Sequence, residues 1–172
     1  MKSRILTLKS FVHPSEYGGK SHWLSWLYQN GYNVPFALFL PPMDFANLDN
    51  IFKNNSELLQ FRKKLKPMLI DEKYDVAIRS SATLEDSYSD SYAGHFSTFI
   101  GKMSFEEVLI NIKKVIKSLN NVQSKIPTKM GVIVQKRIDA SFSGVSFSSN
   151  PINASKSECV ISVIEGMGSG LV

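Results

Sequence analysis

The chain has 172 residues, of which 43% are hydrophobic, a formal net charge of +5 and a pI near 9.3. That length suits about one domain, and that hydrophobic share can bury a core, which excludes a disordered chain. The longest apolar run (VPFALFLPPM, 34–43) is too short to span a membrane, the start MKSRILTLKSF has no signal-peptide cleavage site, and a single cysteine, Cys159, excludes a disulfide framework, so a cytoplasmic protein is expected.

In chain order, the first predicted element is a strand at 4–8, RILTL. A helix over about 19–30 follows, closed by Gly31 and entered through YGGKSHWL at 17–24. Two glycines before Lys20 place a compact ammonium charge where backbone N–H groups are unpaired and anions are favoured. That arrangement serves either a phosphate or a plain helix-entry turn, and it lacks the spacing of a P-loop. A strand at 34–40 and a helix from about 47 to 69 come next. The helix carries the densest basic run, FRKKLK at 61–66, read as a solvated face. Nucleic-acid binding would want interleaved aromatics or a known module, and neither is present, so no nucleic-acid partner is expected.

The strand DVAIRSS at 75–81 is apolar except near its end, where Arg79 brings a planar, permanent charge to the sheet edge. Such a fork suits a polyphosphate, or it pairs with Glu85 or Asp86 and ties down the following loop. Ser80, Ser81, Ala82, Thr83, Ala93 and Gly94 are small enough for backbone to approach a ligand, and Thr98 on the strand at 95–101 adds a hydroxyl. The helix at 104–119 opens with the capping box Ser104 and Glu107 and carries the apolar stripe Phe105, Val108, Leu109, Ile112, Val115, Ile116 and Leu119, leaving Lys113, Lys114 and Lys117 to solvent. Strands at 129–138 and 143–149 flank a polar turn. The last strand, 159–166, begins at Cys159, expected as a buried structural thiol. The order favours an α+β fold with mixed or antiparallel sheets and flanking helices. The chain halts on a glycine-rich turn with apolar residues still arriving, which reads as a piece of a longer protein, C-terminally incomplete.

VAIRSSATLEDSYSDSYAGHFSTFIG at 76–101 resembles the RSSATxED…SxAGxxxT signature of the pyruvate phosphate dikinase and phosphoenolpyruvate synthase family. YGGKSHWLSWLYQNGYNVPFALFL is similar to that family's opening GGKGxxLxxLxxxGxxVPxGF. MGVIVQKRIDASFSGVSFSSNP resembles its VxVQxMVxxxxSGVxFTxxP, and EGMGSGLV its GLGExLV. The four motifs occur in the family's order and cover nearly the whole chain.

The resemblance implies an ATP-grasp-like nucleotide-binding domain, with residues 1–104 as an N-terminal sub-lobe and 105–172 as the truncated start of the second. It implies a dikinase-type phosphotransferase that moves phosphate from ATP to a histidine on a separate swivelling domain and then to pyruvate, releasing AMP. A glucan or rifampin acceptor, or a non-catalytic nucleotide-binding module, are the alternatives. Carried onto this sequence, the ATP contacts fall on Lys20, Arg79, Gly94, Thr98 and Gln135. Gln135 otherwise reads as a partly exposed strand residue, and the strand end beside it offers backbone groups to adenine. Mg²⁺ is implied with ATP, but its ligands are expected downstream, so no catalytic or metal-ligating residue is assigned and the fragment alone is expected to be inactive. Departures from the family pattern are Ser21 for a glycine, Ser148 and Ser149 for Thr and Arg, and Ser169 for a glutamate. His13, His22 and His95 lie outside any acceptor-type context and read as structural.

Overall fold

The computed structural model describes residues 5–42, 53–82, 97–118, 130–153 and 155–168. The chain forms two compact units, Met1–Arg137 and Ile138–Val172. The architecture is mixed α and β with antiparallel pairing throughout the described strands.

In the first unit, β1 (Leu6–Thr7), α1 (Pro14–Tyr17), α2 (Gly19–Gln29) and β2 (Ala37–Leu40) precede α3 (Asn55–Leu65). Then come a 3₁₀ turn (Lys66–Met68), β3 (Leu69–Ile70), β4 (Lys73–Ala82), β5 (Thr98–Met103), α4 (Phe105–Ser118) and β6 (Met130–Lys136). The strand order is β1-β2-β6-β4-β3, with β5 also paired to β4. Sequence position and sheet position therefore diverge: β6 inserts between β2 and β4, and α4 and β6 are built into the same unit as the first hundred residues.

Local chemistry accounts for the ends of these elements. Pro14 sits in the first turn of α1, where its missing N–H costs nothing. Helix α2 closes with a Schellman pair, Tyr32 N–H to Leu27 O at 3.0 Å and Gly31 N–H to Tyr28 O at 3.1 Å, around Gly31 at φ 85°. Asn54 caps α3 by accepting from the Ser56 and Glu57 amides. The capping box of α4 forms as expected: Ser104 N–H donates to Glu107 Oε2 at 2.7 Å and Glu107 N–H to Ser104 Oγ at 3.2 Å.

Strand alternation then sorts side chains onto two faces. Toward α3 and α4 lie Val76 and Ile78 of β4, Val132 and Val134 of β6, and Leu38 and Leu40 of β2, packed with Phe61, Leu65, Val108, Ile112 and Val115. Leu119 of the expected stripe lies outside the described residues. Lys114 and Lys117 are exposed as expected, Lys114 with its Nζ 5.4 Å from the Phe99 ring centroid, while Lys113 is half-buried. On the other face Ala37, Phe39 and Ile133 pack with Leu8, Val12 and Tyr17.

The second unit is a hairpin of β7 (Phe142–Phe147) and β8 (Val160–Glu165). Cys159 departs from expectation. It is exposed, one residue before β8 begins, with Sγ 3.5 Å from Ser146 Oγ. The two-stranded hairpin leaves most of its side chains exposed on both faces, so alternation there does not imply burial. Among the described residues no helix is long and apolar enough to cross a membrane.

Candidate functional site

The turn at Tyr17–Lys20 is seated on the sheet by contacts that only glycine permits. Gly18 has φ 85° and ψ 161°, and a Cβ there would lie 2.1 Å from Ser81 O and 2.4 Å from Ser81 Oγ. Ser21 N–H donates to that same Ser81 Oγ at 3.1 Å across a gap of 60 residues. On the neighbouring strand a Cβ on Gly131 would lie 2.7 Å from Tyr17 O and 3.0 Å from Leu40 O. The start of α2 therefore rests directly on the end of β4 and the beginning of β6, and Lys20, the second residue of α2, is held there half-buried.

Arg79 belongs to the β4 series Asp75, Ala77, Arg79 and Ser81, opposite in parity to the core residues Val76 and Ile78. Its cross-strand partners are Thr98 on β5 and Ile133 on β6. Directly opposed residues of antiparallel strands share a face, so Arg79 and Thr98 are neighbours on the face to which α2 docks. Gln135 is on this face too, one rung away, paired in register with Ala77 on one side and Ala37 on the other. It is 9% exposed, and its Nε2 donates to Pro35 O at 3.4 Å. Of the two alanines that flank it, Ala37 is wholly buried in the second apolar cluster and Ala77 is half-buried.

The placement of the expected site residues is thus as follows. Arg79, Thr98 and Gln135 lie on one face of the sheet, and Lys20 sits on the helix whose entry is anchored at Ser81 of the strand carrying Arg79. Thr98 is exposed and Arg79 half-buried. Among the described residues no carboxylate pairs with Arg79. Gly94, together with Glu85, Asp86, His95 and Ser169, lies outside the described residues.

One rung further from Ser81, Arg137 clasps Asp75 with both ends of its fork, Nε to Oδ1 at 2.6 Å and Nη2 to Oδ2 at 3.1 Å. Asp75 is 5% exposed, and this bidentate pair satisfies a carboxylate that burial would otherwise penalise. Here the backbone is also committed: Lys136 N–H donates to Phe36 O at 2.8 Å and Arg137 N–H to Asp75 O at 3.0 Å.

The two histidines within the described residues have local structural partners. His13 Nδ1 accepts from Ser15 N–H at the start of α1, and His22 Nδ1 bonds Val12 O at 2.8 Å. Ser21, at the position where the family motif has glycine, is wholly buried, and its hydroxyl has no partner among the described residues. Sequence reasoning missed the Gly18–Ser81 seat and the Asp75–Arg137 clasp. A glycine inside an apolar strand, Gly131, did carry a signal, since it marks close backbone approach.

Comparison with known proteins gives a family match. The family model for the pyruvate phosphate dikinase AMP/ATP-binding domain matches residues 54–172. The chain is 29% identical over 181 residues to YvkC of Bacillus subtilis strain 168, described as an uncharacterized phosphotransferase, covering 90% of this chain and 22% of that protein. It is 29% identical over 126 residues to phosphoenolpyruvate synthase of Pyrococcus furiosus, covering 67% of this chain and 15% of the relative. With a probable phosphoenolpyruvate synthase of Archaeoglobus fulgidus it shares 35% identity over 107 residues, 56% of this chain and 14% of the relative. The chain thus spans 14% to 22% of the length of these relatives.

Proposed function

The chain belongs to the family of the pyruvate phosphate dikinase AMP/ATP-binding domain, and from that premise we propose that it is the ATP-grasp-type nucleotide-binding part of a dikinase phosphotransferase. In this reading, phosphate passes from ATP to a histidine on a separate swivelling domain and then to pyruvate, with release of AMP. The observation that carries the proposal is the register that sets Arg79 beside Thr98, with Gln135 one rung away, on the face where the Lys20 helix docks.

Phosphoryl transfer is catalysed mostly by positioning and charge neutralisation. Arg79 and Lys20 bring two positive charges to the phosphates, and Thr98 adds a hydroxyl donor. The base lies beside Gln135 and the half-buried Ala77. Because the amides of Lys136 and Arg137 are already bonded within the protein, base recognition at this strand end falls to Gln135 and to backbone carbonyls. In this reading the second unit, Ile138–Val172, belongs to the second sub-lobe of the grasp. Among the described residues no group of three or more His, Cys, Asp or Glu is placed to hold a metal ion, so no Mg²⁺ ligand is named and no step is routed through it.

The test is ATP titration of the purified chain by calorimetry, with Arg79→Ala and Lys20→Ala. Hydrogen bonds to charged groups contribute about 1.5–3 kcal/mol, so each variant loses roughly ten- to a hundredfold in affinity. ATP binding that is unchanged in both folded variants refutes the assignment.

A further inference from the structure

The basic run at 61–66 divides by environment. Phe61 and Leu65 enter the core, and Lys64 Nζ donates to Ile5 O at 2.6 Å. Arg62, Lys63 and Lys66 instead line a cavity of about 570 Å³ between α3, the 3₁₀ turn and the start of α4. That volume lies within the range of about 300–1,000 Å³ typical of small-molecule sites. Its apolar wall comes from Leu59, Leu69, Tyr74 and Phe105, and the Arg62 guanidinium stands 5.2 Å from the Phe105 ring centroid.

Two carboxylates, Glu72 and Glu106, also line the cavity. Among the described residues, no ion pair within 4.0 Å joins either of them to Arg62, Lys63 or Lys66. Three cations against two carboxylates leave the lining with one positive charge in excess. The start of α4 contributes little attraction of its own, because Glu107 already accepts from the Ser104 amide. Exposed Leu59 and Leu69, at 55% and 45%, leave apolar surface beside this net positive charge.

We propose that this cavity binds a small amphipathic anion, a ring or short apolar group bearing a phosphate or carboxylate. The apolar part lies against Leu59, Leu69 and Phe105, and the anionic head meets Arg62, Lys63 and Lys66. This site is separate from the nucleotide face: Tyr74 and Arg79 have opposite parity on β4, so the two ligands occupy opposite sides of one strand. The proposal does not depend on the nucleotide reading.

The test uses the full chain, isotope-labelled, with phenyl phosphate as the probe and inorganic phosphate and phenol as half-probes. The expected result is that phenyl phosphate binds at least about tenfold more tightly than either half-probe, with a dissociation constant of about 1 mM or below. Its amide shifts are expected at residues 59–74 and 104–106. The combined variant Arg62→Gln, Lys63→Gln, Lys66→Gln loses that binding, while Lys113→Gln with Lys117→Gln and the single variant Arg79→Ala keep it. A single Lys66→Glu change gives the same loss if the triple variant is unstable. Equal binding of phenyl phosphate and inorganic phosphate, tighter binding of a short oligonucleotide, retention in the variants, or no phenyl phosphate binding at all overturns the proposal.

Discussion

Replacing Gly18 by alanine tests whether α2 is seated on β4. The position has φ 85° and ψ 161°, a region almost closed to side chains that costs on the order of 1–3 kcal/mol. The added Cβ would fall 2.1 Å from Ser81 O and 2.4 Å from the Ser81 carbonyl carbon and Oγ. All of these are far inside van der Waals contact, and two of the three atoms are backbone and cannot swing away. The helix entry must lift, which also breaks the Ser21 N–H to Ser81 Oγ bond, a loss of about 1 kcal/mol. A destabilisation of about 3 kcal/mol or more follows. For a domain of this size that lowers the melting temperature by roughly 6–12 °C. Gly31 is the matched control. It has the same φ of 85° but nothing within 4 Å of where a Cβ would stand, so Gly31→Ala carries only the left-handed penalty of about 1–2 kcal/mol. Urea and thermal unfolding of the two variants side by side separate clash from strain. If Gly18→Ala is no less stable than Gly31→Ala, the seat on Ser81 does not exist.

Ser21→Ala is expected to stabilise the chain by about 1 kcal/mol, a rise of about 2–4 °C in melting temperature, because it removes a buried hydroxyl without a partner among the described residues. A fall in melting temperature would show that the hydroxyl is bonded. The backbone hydrogen bond from Ser104, then its hydroxyl, hold the Glu107 carboxyl below its ordinary value of 4.5. Its contribution to stability is therefore complete above about pH 4.5 and is lost as pH falls through the lower folded-state value. Unfolding of wild type and Glu107→Gln at pH 7 and pH 3 should show the wild-type advantage shrinking on acidification; a gap independent of pH would refute the capping assignment.

Much of the element order could be read from residues alone, for physical reasons that differ along the chain. The α4 stripe and its capping box specify a helix locally, and both appear as expected. The strands at 75–81 and 129–138 were visible as β-branched and apolar runs, yet their adjacency was not, because β6 reaches β4 across α4. Helix α1 was missed although His13–Pro14 carried a helix-start signal; four residues are too few to show a period. Cys159 was misplaced because alternation reports burial only when a second layer covers the strand. Lys20, Arg79, Thr98 and Gln135 could each be named from residue type, and the register sets Arg79, Thr98 and Gln135 on one face of the sheet. What the residues could not reveal was the docking of a glycine turn against a serine carbonyl some sixty positions later, a contact between backbone atoms that leaves little trace in side-chain pattern.

That long-range seat has a consequence for folding order. Bringing Ser21 to Ser81 closes a loop of 60 residues, and contacts of such separation form only after the chain has surrendered the entropy of closing it. The α4 helix and the β3–β4 hairpin involve near neighbours and can form early. The Lys20 turn meets Arg79's strand through such a contact, so the face that carries Lys20, Arg79 and Thr98 is expected to assemble late. Short peptides carrying either motif would then be inert, and ligand protection in a pulse-labelling experiment would appear with the slowest phase of refolding, not with the first helices.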